Sequence, residues 1–169
     1  MHGMAQQPGS RKLAVTLPSD TEILLSREFD APPHLVWEAM TRPEYVRRWW
    51  NCMDGNTMPV CEIDLRVGGR WRFVTKSPGG DEHGFHGVYK EIVPGSRLVQ
   101  TETYEPFPDA ETLVTVTLEV RGGRTLLTSL TACQDATTRD AIVASGMEFG
   151  ADIAYDRLEE IAQELRASR

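Results

Sequence analysis

Apolar and polar residues alternate with a period of two through the centre of the chain, in six runs between Met58 and Ala132. The runs are Met58–Leu65, Arg70–Lys76, Gly84–Val93, Arg97–Tyr104, Thr112–Arg121 and Arg124–Ala132. Each break carries turn residues: Val67-Gly68-Gly69, Ser77 to Asp81, Pro94-Gly95-Ser96, Pro106 to Ala110 and Gly122-Gly123. Alternation bounded by such clusters predicts strands, and short connections between them predict an antiparallel meander. Thr21–Phe29 reads as a further strand before the meander, and Lys12–Leu17 alternates weakly as a short one.

Two flanks follow the helical period instead. Leu35, Val36, Ala39 and Met40 share one face, so His34–Thr41 is predicted as a helix, with Asp30 as its cap and Pro33 in its first turn. Pro43 opens a second short helix, PEYVRRWW, ending at Trp50. At the other end Met147, Ala151, Ala154, Leu158, Ile161 and Leu165 form a stripe, predicting one long helix over Asp135–Arg166. Gly146 and Gly150 inside it cost roughly 1 kcal/mol each against Ala, which calls for close packing, a bend or space for a ligand. The order strand, two helices, six strands, long helix predicts an α+β helix-grip architecture. A curved antiparallel sheet of about seven strands wraps the C-terminal helix, and a pocket opens where the two diverge.

Residues 1–11 mix Gly, Pro, Gln and Ser without periodicity and are expected to be disordered, leaving 12–169 as a single domain. The net charge of −7 argues against non-specific binding to nucleic acid or anionic membrane. No apolar run is long enough for membrane insertion. Cys52, Cys61 and Cys133 have neither disulfide nor metal-ligand spacing, so reduced thiols and a cytoplasmic location are expected. His83 and His86 are three apart in one strand and face opposite sides, while His2 and His34 are remote. No metal and no cofactor is expected: G-x-S-x-G, Walker A and G-x-G-x-x-G patterns are all missing.

Strand phase then sorts the interior. Trp71 and Phe73 point inward, with Arg70 and Arg72 outward. Val114, Val116, Leu118 and Val120 form a plain apolar inner set. If Leu98 and Leu127 point inward, Gln100, Glu102 and Tyr104 follow the first, and Ser129 and Thr131 the second. Inward polar groups need partners, which a ligand would supply, and His86 on the neighbouring strand is a candidate to join them. The alternative is a bulge or register slip that turns Glu102 to solvent. Trp37 is expected as a core anchor, and one of Trp49 and Trp50 at the pocket mouth. With Met147 and Gly150 of the long helix these residues make up the candidate ligand-binding set.

Four stretches resemble a known family: REFDAPPHLVWEAMTRPEYVRRWW (Arg27–Trp50), CEIDLRVGGRWRF (Cys61–Phe73), GVYKEIVPGSRLV (Gly87–Val99) and the late SGME…YDRLEEIAQEL. They are similar to the heat-shock protein 90 ATPase activator homologues, of the START-like superfamily also called SRPBCC, polyketide cyclase or Bet v 1-like. The similarity runs from about Arg11 to Leu165. It implies the helix-grip fold. The superfamily includes lipid carriers, hormone-binding proteins, polyketide aromatases and cyclases, and a co-chaperone domain, so kinship does not name one activity. Three expectations follow. The first is binding of a small hydrophobic or amphipathic molecule without dedicated catalytic residues. The second is a cyclase-like enzyme using Glu102, His86 or Tyr104. The third is a stress-related module with a chaperone partner; only the C-terminal type of domain of that co-chaperone is matched, so full ATPase activation is not expected. A homodimer through the edge strand Lys12–Leu17 is a further candidate.

Overall fold

The computed structural model describes residues 12–50 and 54–169. The expectation of a disordered 1–11 segment and the packing role assigned to Cys52 fall outside those residues. The strands are β1 (Ala14–Thr16), β2 (Glu22–Phe29), β3 (Thr57–Ile63), β4 (Arg70–Lys76), β5 (Glu82–Val93), β6 (Arg97–Tyr104), β7 (Thr112–Arg121) and β8 (Arg124–Ala132). The helices are α1 (Pro33–Thr41), α2 (Pro43–Trp49), α3 (Ala136–Ala144) and α4 (Met147–Ala167). The sheet order is β1-β2-β8-β7-β6-β5-β4-β3, antiparallel throughout. Short β1, at one edge, makes it a sheet of eight strands rather than seven.

The helix elbow after β2 forms as the prolines dictate. Pro33 and Pro43 occupy the first turns of α1 and α2. Asp30 does not cap α1: its N-cap is Pro32, with no side-chain cap. Asp30 is held instead by Arg166 at 3.0 Å, and its backbone N–H donates to the Glu159 carboxylate at 3.3 Å. The start of the elbow is therefore tied to the C-terminal helix.

The segment predicted as one helix over Asp135–Arg166 is two, with the whole apolar stripe on the second. Asp135 caps α3 by accepting from the Thr138 N–H at 2.7 Å, and α3 ends at Ser145. Gly146 then takes φ +86°, a left-handed conformation open to glycine and strained for other residues. No residue of α3 is buried, whereas α4 buries Ala154, Tyr155, Leu158, Ile161, Ala162 and Leu165. Burial of Leu158 and Ile161, each essentially inaccessible, contributes about 1.5–3 kcal/mol apiece. The grip is thus made by α4 alone.

Two apolar clusters hold the layers together. One joins α4 and α1 to β2, β7 and β8 around Phe29, Leu35, Val36, Leu118, Leu127 and Leu158. The other joins α2 to β3–β6 around Val46, Cys61, Trp71, Phe73, Tyr89 and Leu98. The Trp71 indole lies across Gly87 of β5 and donates to the Thr101 carbonyl on β6 at 3.2 Å. A Cβ at Gly87 would stand 1.8 Å from that carbonyl oxygen and 2.5 Å from the indole nitrogen, so only glycine permits this crossing.

A candidate ligand cleft on the inner face of the sheet

The register places the inner-face residues in rows across the sheet. Leu98 is opposite Val116, which is opposite Ser129 and then Leu25. One row along, Gln100, Val114, Thr131 and Ile23 align, and Glu102 is opposite Thr112. Gln100, Glu102, Tyr104, Ser129 and Thr131 therefore all sit on the face turned toward α4, as the strand phase predicts, and no bulge interrupts β6–β7. Val120, by contrast, is 69% exposed and lies beyond the inner apolar set.

His86 does not join them. It pairs with Arg72 and Thr103 on the outer face, where its Nδ1 meets the Glu105 carboxylate at 2.9 Å. The cause is a bulge in β5 between Tyr89 and Glu91. Ile92, past the bulge, packs inward opposite Leu98; phased from it, His86 would be inner, but the extra residue shifts the inner set to Phe85, Gly87 and Tyr89. A Glu102–His86 acid/base pair is not formed. Outside, Glu105 also accepts two hydrogen bonds from Arg72 at 2.9 Å. The Arg72 hydrogen bonds chiefly hold its carboxyl down to about 2, with burial opposing them next and the His86 contact adding to the lowering after that.

The aromatic residues divide by role. Trp49 donates Nε1–H to the Ala39 carbonyl at 2.9 Å and leans on Tyr155, which fixes the elbow against α4. Trp50 packs edge-on to Phe73 and Phe85, at centroid distances of 5.1 and 4.8 Å. Phe85 stacks on Tyr104 at 4.9 Å, and the Tyr104 hydroxyl meets His83 Nδ1 at 2.6 Å. An aromatic wall thus runs from the elbow to β6, with fully buried Trp71 behind it. Met147 and Gly150, in the first turns of α4, are half-buried.

Glu102 is the unusual group. Among the described residues no hydrogen bond reaches its carboxyl. Burial alone lifts its pKa to about 7. The residue keeps some accessible surface while its carboxyl is strongly desolvated, which sets it below the protein surface rather than in bulk solvent.

Two groups outside the expected set complete the inner face. Tyr155 of α4 reaches over the sheet, where burial first and the Glu102 charge after it raise its phenol to about 12, with the Ser129 hydroxyl acting in the opposite sense as a hydrogen-bond partner. Arg27 of β2 is 5% exposed and ion-pairs with Asp156 at 2.9 Å and Glu159 at 3.4 Å on α4. Its guanidinium also stands 4.7 Å from the Phe29 ring centroid. Tyr155 was in reach of the sequence, four residues after Ala151 and three before Leu158 on the same stripe. Arg27 was in phase with Phe29, but a charged residue in a strand carries no signal of a distant carboxylate partner. Two grooves lie outside this cleft. One of about 440 Å³ borders α1 and β3, between Trp37 and Leu65. Another of about 520 Å³ lies between Leu13 and the start of α4 at Gly146 and Phe149.

Comparison with known proteins places this geometry. The sequence model of the family described as Activator of Hsp90 ATPase homolog 1-like protein matches residues 30–163. No curated protein matches the chain. Among solved structures, a Rhodobacter sphaeroides protein is similar with a TM-score of 0.85 and 29% identity, covering 90% of this chain and 99% of that one. A Chromobacterium violaceum protein is similar at 0.73 and 26%, covering 84% and 97%. A Nitrosomonas europaea protein, at 0.79 and 23% with 89% and 99% covered, shows the same fold.

Proposed function

Since the chain belongs to the Activator of Hsp90 ATPase homolog 1-like protein family, we propose that it is a binding module for a small amphipathic molecule held between the sheet and α4. The observation that carries this is the pair Gln100 and Glu102, reached by no hydrogen bond among the described residues, on an otherwise aromatic and aliphatic inner face under Tyr155. A flush helix–sheet contact would have left such groups paired within the protein or replaced by apolar ones, because each unpaired buried polar group costs roughly 1–3 kcal/mol. Half-accessible side chains in the middle of the inner face, Gln100, Val116 and Thr131 among them, support a gap at that place. Trp50, Phe85 and Tyr104 supply the flat apolar wall that pockets of this type use. Among the described residues no helix is long and apolar enough to cross a membrane, and the proposed setting is the cytoplasm.

Native mass spectrometry of the purified protein, with N-phenyl-1-naphthylamine as a neutral fluorescent probe, tests the cleft. A co-purified small molecule or probe binding is expected, weakened by Gln100→Trp, which fills the gap. A bare mass together with no probe binding refutes it.

A further inference from the structure

On the basis of that ligand cleft, we infer that Glu102 anchors an organic ammonium group, so that the occupant is an amphipathic amine whose cationic head sits against the aromatic residues around this carboxyl. Three features of position lead there. By the β5–β6 register Gly87 lies opposite Glu102, and the Trp71 indole lies across Gly87. Tyr104 is two residues along β6 on the same face, stacked on Phe85. Tyr155 comes from α4 on the other side, close enough for its phenol to sense the Glu102 charge. A carboxylate set among aromatic rings is the chemistry that recognises ammonium groups, since ring faces attract a cation that is stripped of water.

The charges on the inner face favour a cation over an anion or a carbonyl. Arg27 on β2 is already shared by Asp156 and Glu159 of α4, leaving no cation for Glu102. Facing Glu102 from α4, Tyr155 titrates at about 12, and Tyr89 on β5, opposite the neighbouring Gln100, is raised chiefly by burial. Neither is charged near neutral pH. His83 of β5 shares this face and meets the Tyr104 hydroxyl at 2.6 Å, so it is the other titratable group beside the aromatic wall; Glu102 is the carboxyl there, and an ammonium ligand would hold it ionised.

The test uses the full chain with two probes of nearly equal shape. Benzyltrimethylammonium carries a permanent charge and has no titration of its own; neopentylbenzene is its neutral carbon counterpart. Tryptophan fluorescence and calorimetry read both. At pH 8 the cation is expected to bind at least 10-fold tighter than the neutral probe. With Glu102 ionising near 7, its apparent affinity should fall about 30-fold from pH 8 to pH 5.5, because only the ionised fraction binds. Glu102→Gln should abolish both the preference and the pH dependence while leaving the neutral probe within about 3-fold. If that variant folds poorly, the pH series is repeated on His83→Gln, where an unchanged fall keeps the assignment to Glu102 and loss of the fall overturns it. A cation that binds no better than neopentylbenzene, or better at pH 5.5, overturns the ammonium assignment and leaves the cleft. Failure of both probes to bind removes the cleft as well.

Discussion

Replacing Glu102 by Gln changes how stability depends on pH, and the size of the change follows from where the carboxyl sits. Its pKa in the folded protein is about 7, against an ordinary 4.5. The folded state therefore holds this proton more tightly than the unfolded chain does. Between pH 4.5 and 7 the folded state carries the proton and the unfolded state has lost it, so stability falls as pH rises through that window and levels off above it. At about 1.4 kcal/mol per pH unit the loss is about 3 kcal/mol. Glutamine has nothing to ionise and does not suffer it. The outer carboxyl Glu105 has the opposite shift, but its contribution is complete above pH 4.5 and does not vary in the window.

The measurement is urea unfolding of both proteins at pH 4.5, 6, 7 and 8, followed by tryptophan fluorescence. The stability difference between Glu102→Gln and the parent should move by about 3 kcal/mol in favour of the variant from pH 4.5 to pH 8. In a thermal melt the same difference is about 6–12 °C for a domain of this size. The absolute offset is less informative, because the Gln amide also needs partners; the slope carries the reasoning. Parallel stability curves across the whole range would show that Glu102 is solvated in the folded protein, and the enclosed-cleft geometry would be wrong.

Other outcomes follow from the packing. Glu105→Gln should remove a stabilisation that is present above pH 4.5 and lost as pH falls toward 2; at a half-exposed surface this is about 0.5–1 kcal/mol, read from acid titration of the folded fraction. Gly87→Ala should destabilise by about 2–3 kcal/mol in denaturant, since its Cβ meets a backbone oxygen that has no room to move. Arg27→Met should cost about 3 kcal/mol by breaking the buried ion pairs that join β2 to Asp156 and Glu159 of α4, and Arg27→Lys should restore only part of that; an unchanged unfolding midpoint for Arg27→Met would contradict the packing described.

The strands were legible because their alternation is undisturbed: β6, β7 and β8 run without a bulge, so Leu98 and Leu127 correctly carry Gln100, Glu102 and Ser129 inward with them. His86, offered only as a neighbour on the next strand, proved outside: with the bulge between Tyr89 and Glu91, Phe85, Gly87 and Tyr89 take the inner face of β5. A bulge leaves no mark in an alternating pattern unless its partner strand is already known. The helix break at Gly146 was half visible. The glycine penalty pointed to a bend, but the positive φ that makes Gly146 a full break leaves no mark of its own in the sequence. Arg27 was hidden for a different reason, since its partners Asp156 and Glu159 come from the far end of the chain.

The two charged groups on the inner face show how differently the fold treats them. Arg27 on β2 and Glu102 on β6 have opposite sign, yet β8 and β7 lie between them, which puts about 14 Å between their strands. Arg27 is supplied with two carboxylates by α4 and contributes to holding that helix on the sheet. Glu102 receives no partner from any described element, and its ionised form opposes folding near neutral pH. Packing therefore explains Arg27 and does not explain Glu102. A carboxyl that destabilises its own fold by about 3 kcal/mol is what the proposed ligand would compensate: a donor group at Glu102 turns an unfavourable buried charge into a directed hydrogen-bonded pair.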